Sequence, residues 1–384
     1  IVTLDLLNHR DANIDPLTRD DTIDLDNAAD PAGITFLPDG ITRVHSLQGN
    51  NIVALNNLGQ NTSANVDVGF GPQSMCSTLR TLYVKNYTGR TVSAIDISGW
   101  MHEGTQNPDI QSIKTVAVDK LNNEELLGLK LFYQARNPDI SPEGYISCAS
   151  CHAGGGSDGM TWDVTHMGEG LRNTISLNGA SGTRFGDLHW SGNFDEIQDF
   201  EIQIEKLNGG EGLIPGVTFT TQSPLTLATS GQSVDLDALA TYVNSLGKDR
   251  VKRSPYRTYT GSLTAAAERG RIVFDNAGCA DCHAGAAFRD GLRHDVGTTK
   301  AASGSRLGTA TLTEIRTPSL IELWETEPFF HDGSAETLQD VFNQSSHPSH
   351  AVGLTSADES DLIEYLLSID RELYIEDNAV FPDF

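Results

Sequence analysis

The sequence predicts a mainly α-helical protein built as two similar halves, preceded by a strand-rich segment over residues 1–115. Three observations carry this. β-branched runs separated by turn residues fill the first part, one helix plan occurs twice after it, and a Cys-x-x-Cys-His motif stands at the same place in each copy. A length of 384 residues suits two or three domains, each with a core of its own.

In residues 1–115, Thr81 to Lys85 and Thr91 to Ile97 are rich in β-branched residues and bounded by turn formers, so they read as strands. Pro31 to Gly40 ends in a Pro-Asp-Gly turn. This stretch and Tyr83 to Ser98 resemble blades of bacterial β-propeller repeats. A propeller needs at least about four blades of four strands, and the segment has material for about two. It is therefore expected to be part of a longer propeller; the other reading is a strand appendage to the halves that follow. The chain opens Ile1-Val2-Thr3-Leu4-Asp5, without Met or a leader, as expected of a mature or truncated chain.

The two halves are predicted over 116–253 and 254–384, joined near Lys248 to Pro255. Leu121 to Ala135 reads as a helix in the first, and Ala265 to Phe274 does the same in the second. Gly128 with Phe132 matches Gly270 with Phe274. Each half closes with an amphipathic helix, Leu239 to Leu246 and Leu362 to Ile369, in which Tyr242 matches Tyr365 and Ser245 matches Ser368. The loops between are rich in Gly, Asn, Asp and Ser, poor helix formers that something else must hold.

The motifs are Cys148-Ala149-Ser150-Cys151-His152 and Cys279-Ala280-Asp281-Cys282-His283. Two thiols at this spacing can form thioethers with the two vinyl groups of a haem, and the adjacent His can give the iron its proximal nitrogen. A four-thiolate zinc site wants its pairs about 15–20 residues apart. These start 131 apart. A thioredoxin-like pair is normally single and needs no His after the second Cys. The cofactors expected are two covalently attached haem c groups. Their attachment occurs outside the cytoplasm, which implies a periplasmic, cell-surface or extracellular protein. Cys76 is left over and is expected to be buried.

Charge narrows the partners. Lys plus Arg number 26 against 52 Asp plus Glu, a net charge of -26 that argues against nucleic acid and anionic membranes and leaves a basic protein as a partner. No apolar run approaches the ~18 residues of a membrane-spanning helix.

Residues 116–384 resemble the bacterial dihaem cytochrome c peroxidase and MauG superfamily. The resemblance rests on both Cys-x-x-Cys-His motifs and on Leu171-Arg172-Asn173-Thr174 and His189-Trp190-Ser191-Gly192. In the second half it rests on Arg293-His294-Asp295-Val296-Gly297, Thr317-Pro318-Ser319-Leu320 and Pro328-Phe329-Phe330-His331-Asp332-Gly333. It implies two c-type cytochrome domains facing each other across Trp190, which would relay electrons between the haems. It also implies a calcium ion held by Asn173 and the carbonyls of Thr326 and Pro328, oxygen ligands that suit a hard cation. His331 is similar to a residue near the second haem, and a plain turn role is the other reading.

The family places the distal ligand of the second haem about 14 residues past His331, where this chain has Ser345. His347 or His350 is expected to take that role, and both could be surface histidines. No Met follows Met167, which excludes a His/Met second haem, and bis-His ligation lowers the potential. At the first haem the family carries a displaceable His before the Arg-Asn segment; here His166 and Met167 stand there. It also supplies a Gln and a Glu ten and twenty residues beyond the Trp. This chain has Phe200 and Gly210, or Glu201 and Glu211 if one residue is inserted. These acids would move the proton that peroxide cleavage requires. A Phe over the iron is instead similar to dihaem oxygenases that act on polyisoprene.

Three functions follow. One is reduction of hydrogen peroxide at the first haem, with electrons from an external donor, a small basic cytochrome or cupredoxin, passed through the second haem. Another is a MauG-like or oxygenase-like enzyme that oxidises a partner protein, or an organic substrate with dioxygen. The third is a non-catalytic electron carrier.

Overall fold

The computed structural model describes residues 2–3, 21–22, 28–103, 108–180, 183, 186–216, 225, 228–285, 287–306, 311–348 and 353–373. The chain divides into two compact units. The first comprises Ile1–Ala117, Gln134–Arg136 and Glu143–Ile146, and the second Val118–Tyr133, Asn137–Pro142 and Ser147–Phe384.

The first unit holds two four-stranded antiparallel sheets, each a meander in chain order. Strands β1 (Pro31–Phe36), β2 (Thr42–Leu47), β3 (Ile52–Asn57) and β4 (Thr62–Asp67) form one, and β5 (Pro72–Ser77), β6 (Thr81–Asn86), β7 (Thr91–Asp96) and β8 (Ile110–Lys114) the other. The Pro-Asp-Gly turn joins β1 to β2. Asp39 Oδ1 accepts the N–H groups of Ile41 at 2.9 Å and Thr42 at 2.8 Å, and Gly40 takes φ +70°. Val44, Val53, Leu55, Leu82, Val84 and Ile95 form the core with Trp100 of α1 (Ser98–Glu103). The sheets touch where Ser46 Oγ donates to Gln73 O at 2.6 Å. A Cβ at Gly33 would lie 2.4 Å from that same oxygen, so only glycine fits.

Cys76 is exposed, which corrects the expectation that it is buried. The cause is strand alternation. In β5 Met75 packs against the core, so the next side chain points to the opposite face.

In the second unit the helix plan repeats in three dimensions. Helix α2 (Asn123–Tyr133) packs on α5 (Val234–Asn244), and α6 (Ala265–Asn276) packs on α8 (Ser356–Leu367). The matched glycines are the crossing points. A Cβ at Gly128 would sit 1.9 Å from Ala238 O, and one at Gly270 would sit 1.9 Å from Asp361 O. The matched aromatics seal each pair edge to face, Phe132 with Tyr242 at 5.3 Å and Phe274 with Tyr365 at 5.4 Å. Side chains of Ser233, Thr264 and Thr355 accept backbone N–H groups at the starts of α5, α6 and α8.

Short elements carry the connections. These are helices α3 (Cys148–Cys151), α4 (Glu201–Lys206) and α7 (Leu338–Asn343), the hairpin of β9 (Thr161–Asp163) with β10 (Leu171–Asn173), and the pair β11 (Arg293–His294) with β12 (Ile315–Arg316). Polar clasps join the halves. Arg172 Nη2 donates to Ser303 O at 2.9 Å, and the N–H of Asn173 to His331 O at 2.7 Å. Glu322, buried, accepts from the N–H of Lys252 and from Asn178 Nδ2 at 3.2 Å.

Candidate haem and active site

Cys148 and Cys151 sit at the two ends of a single helical turn, a spacing that puts both thiols on one face. His152 follows at once. Its N–H donates to Cys148 O at 2.9 Å, and its Nδ1 lies 3.2 Å from Gly156 O. That carbonyl accepts a hydrogen bond from Nδ1–H and leaves Nε2 as the metal-binding nitrogen. The second motif repeats the arrangement, with the His283 N–H on Cys279 O at 2.9 Å and Nδ1 at 3.1 Å from Phe288 O. Burial lowers the pKa of both rings, which keeps them in the neutral form that binds iron.

One cavity, part of it open to solvent, is lined by Cys279, Cys282, His283, Trp190 and His347. Phe274, Leu320, Phe342, Leu362 and Leu366 supply apolar walls. An apolar slot with two thiols at one rim and imidazoles lining it fits a covalently held haem, so the residues present suit the cofactor that the motif implies. Burial, and then the nearby His283, push the pKa of His347 down to about 4. His350 lies outside the described residues.

Trp190 is buried, lines this cavity, donates Nε1–H to Asn173 O at 2.8 Å and accepts the Arg316 N–H at 2.9 Å. Burial lowers Arg316 to about 10. Asn173 turns its amide toward the carbonyls of Pro328 and, at 3.4 Å, Phe330, while its Oδ1 is buried without a hydrogen bond. Thr326 lines the same cavity as Pro328. His331 is fully buried with Nε2 2.8 Å from Ser303 Oγ, and burial lowers its pKa to about 4.

Beside Trp190 on the chain, His189 takes φ +64° and enters a different environment. Its ring packs on Phe194 at 4.4 Å and edge to face on Phe200 at 4.7 Å. Its Nδ1 is 2.7 Å from Asn193 Oδ1, and Asn193 Nδ2 donates to Glu169 Oε1 at 2.7 Å. Glu169 is held in turn by Arg172 Nε at 3.2 Å and Ser191 Oγ at 3.3 Å. His189 and His152 lie close enough that a charge on His189 disfavours one on His152.

The acids expected near the first haem have different surroundings. Glu201 is buried with Oε1 accepting the Ile214 N–H at 2.7 Å, its Oε2 is buried without a hydrogen bond, and burial raises its pKa. Glu211 and His166 are exposed. No hydrogen bond or ion pair ties any of these three to His152 or Trp190. In the sequence His189 stands only as part of the Trp motif. Only its place next to Trp190 signalled it, because Asn193 and Glu169 have no motif that marks them.

No family model matches the chain. The chain is 29% identical over 282 residues to hydrazine synthase subunit gamma of Kuenenia stuttgartiensis, covering 62% of this chain and 76% of that protein. It is 29% identical over 255 residues to the methylamine utilization protein MauG of Methylorubrum extorquens, covering 56% and 67%. With the cytochrome c551 peroxidase of Nitrosomonas europaea the identity is 24% over 277 residues, covering 61% and 75%. By these relatives the chain is similar to the dihaem cytochrome c peroxidase and MauG superfamily. These relatives support an oxidoreductase and imply two haem c groups, a number that the two motifs match. A solved structure of hydrazine synthase from Kuenenia stuttgartiensis shares the fold, with TM-score 0.50 and 24% identity over 69% of this chain and 100% of that one. Among the described residues no helix is long and apolar enough to cross a membrane.

Proposed function

We propose that this dihaem oxidoreductase reduces hydrogen peroxide at the haem held by Cys148, Cys151 and His152, with electrons passed through the haem held by Cys279, Cys282 and His283. The observation that carries this reading is the cavity beside the second motif, which His283, His347 and Trp190 all line. Histidine on both faces would leave that iron no open position, which suits electron storage and leaves substrate to the first haem. The iron, when bound, supplies the site where peroxide is held and the electrons that cleave it. The chain supplies the rest: His152 Nε2 anchors the iron, Trp190 offers an aromatic path between the haems, and the Phe194 and Phe200 rings exclude water.

Asn173, Thr326 and Pro328 would hold calcium. Turning the Asn173 amide would point its oxygen at the Pro328 carbonyl, a neutral oxygen set that water would complete around a hard cation. In this reading 1–115 is two propeller-like blades, and 116–253 and 254–384 are the first and second c-type haem domains. The protein works in the periplasm or at the cell surface, and its donor is a small basic cytochrome or cupredoxin. A MauG-like or oxygenase-like activity on a partner protein or organic substrate is the second reading. Phe200 against His189 favours it, since an apolar ring lies where the family has Gln.

Low-temperature EPR of the oxidised and half-reduced holoprotein, followed by stopped-flow addition of stoichiometric peroxide, tests these readings. A high-spin first haem with rapid peroxide consumption is expected. A long-lived oxidised spectrum without turnover would move the assignment to the MauG-like reading. Two low-spin haems inert to peroxide and dioxygen would leave an electron carrier.

A further inference from the structure

We propose that His189 is the proton-transfer base of the first haem's substrate side, oriented by Asn193 and Glu169. This rests on the assignment of the first haem as the substrate site. Asn193 has an acceptor at one end and a donor at the other, and both are used: Nδ2 donates to Glu169 Oε1 at 2.7 Å, so Oδ1 must be the end that faces His189 Nδ1 at 2.7 Å. An amide oxygen only accepts, so the neutral imidazole carries its proton on Nδ1. Nε2 is then the basic nitrogen, and it makes no hydrogen bond among the described residues. Arg172 and Ser191 pin the carboxylate, which fixes the far end of the chain.

Position supports the same role. The positive φ at His189 turns its ring away from the environment of Trp190, toward Phe200, the residue that stands where the family carries its distal Gln. Glu201, the acid expected to move protons, spends Oε1 on the Ile214 N–H, and among the described residues no hydrogen bond or ion pair ties its buried Oε2 to His152 or His189. His189 therefore takes over the task that the family's Gln and Glu perform elsewhere.

In peroxide reduction Nε2 would take the proton of the inner oxygen and return it to the outer one. The O–O bond breaks, the outer oxygen leaves as water, and the inner oxygen becomes a second water with two protons from solvent and two electrons from the external donor. Asn193 and Glu169 are positioning residues in this scheme.

Cyanide tests the base without turnover, because neutral HCN must lose a proton to bind ferric haem, whereas carbon monoxide binds ferrous haem with none to move. In the holoprotein, His189→Leu is expected to slow cyanide association about 100-fold, the range of a lost acid–base group, with carbon monoxide association unchanged. Asn193→Leu keeps the ring but frees its tautomer, and about a tenfold slowing is expected. Unchanged cyanide binding in either variant, or a parallel loss of carbon monoxide binding, would overturn the proposal. So would a low-spin first haem that turns high-spin in His189→Leu, since an Nε2 bound to iron takes no proton. A wild type inert to peroxide whose cyanide rate still depends on His189 would refute the peroxidase reading and support the base.

Discussion

In the proposed function His347 is the residue that would complete the ligands of the second haem. It lines the cavity that His283 also lines, and burial keeps its ring neutral down to about pH 4, the form that donates to iron. Replacing one axial His by Met raises a haem potential. His347→Met is therefore expected to keep the second haem low-spin and raise its potential in a spectroelectrochemical titration, and His347→Ala to make it high-spin. If both variants keep the wild-type potential and spin state, the ligand lies elsewhere, with His350 next in line. The cavity was legible in sequence only in part. Cys279, Cys282 and His283 announce themselves by covalent chemistry that tolerates one spacing, whereas a distal ligand needs only to reach the iron. His347 and His350 therefore read alike in sequence, and nothing there marks His189, because its hydrogen bond to Asn193, four positions on, continues to Glu169, 24 positions before Asn193, only through folding.

At the level of elements, the repeated helices were readable because glycine and aromatic spacing carry a packing requirement. Gly270 and Gly128 each let one helix lie on the carbonyls of its partner, and Phe274 and Phe132 each close the crossing against a tyrosine. Gly270→Ala forces a methyl to within 1.9 Å of Asp361 O, so α6 and α8 must separate. A loss of about 1–3 kcal/mol or more is expected in urea titrations, against the small gain that alanine brings to an exposed helix site. The exposure of Cys76 was not legible for the opposite reason, since a lone Cys has no period and only the register of β5 decides its face.

Strand β2 stakes a second prediction on burial. His45 is 2% exposed, and burial, with Arg43 nearby, lowers its pKa to about 4 from 6.5. The folded form then stays neutral between these values while the unfolded chain binds a proton. Stability must fall as pH drops from about 6.5 to about 4 and level off below, by about 1–2 kcal/mol once solvent screening is allowed for. In His45→Leu the difference in unfolding free energy between the ends of this window should shrink by that amount, as read by circular dichroism in the strand region.

For the whole molecule, the net charge of -26 is the property with the longest reach. It acts before any contact forms, by drawing a basic donor toward the surface and rejecting an acidic one. The reach of that field is set by ionic strength, from about 30 Å at 0.01 M to about 8 Å at 0.15 M. Electron delivery from a small basic cytochrome should then slow by about tenfold or more across that range, the low end of what steering contributes. Reduction by a neutral small molecule such as a hydroquinone should hardly change, because nothing steers it. Stopped-flow reduction of the oxidised holoprotein by both donors, at several salt concentrations, separates the two cases. A basic donor whose rate ignores salt would mean that docking is governed by a local apolar surface and that the acidic excess serves solubility alone. Parallel slowing of both donors would place the salt effect on the haems themselves, since a neutral molecule has no encounter for salt to screen.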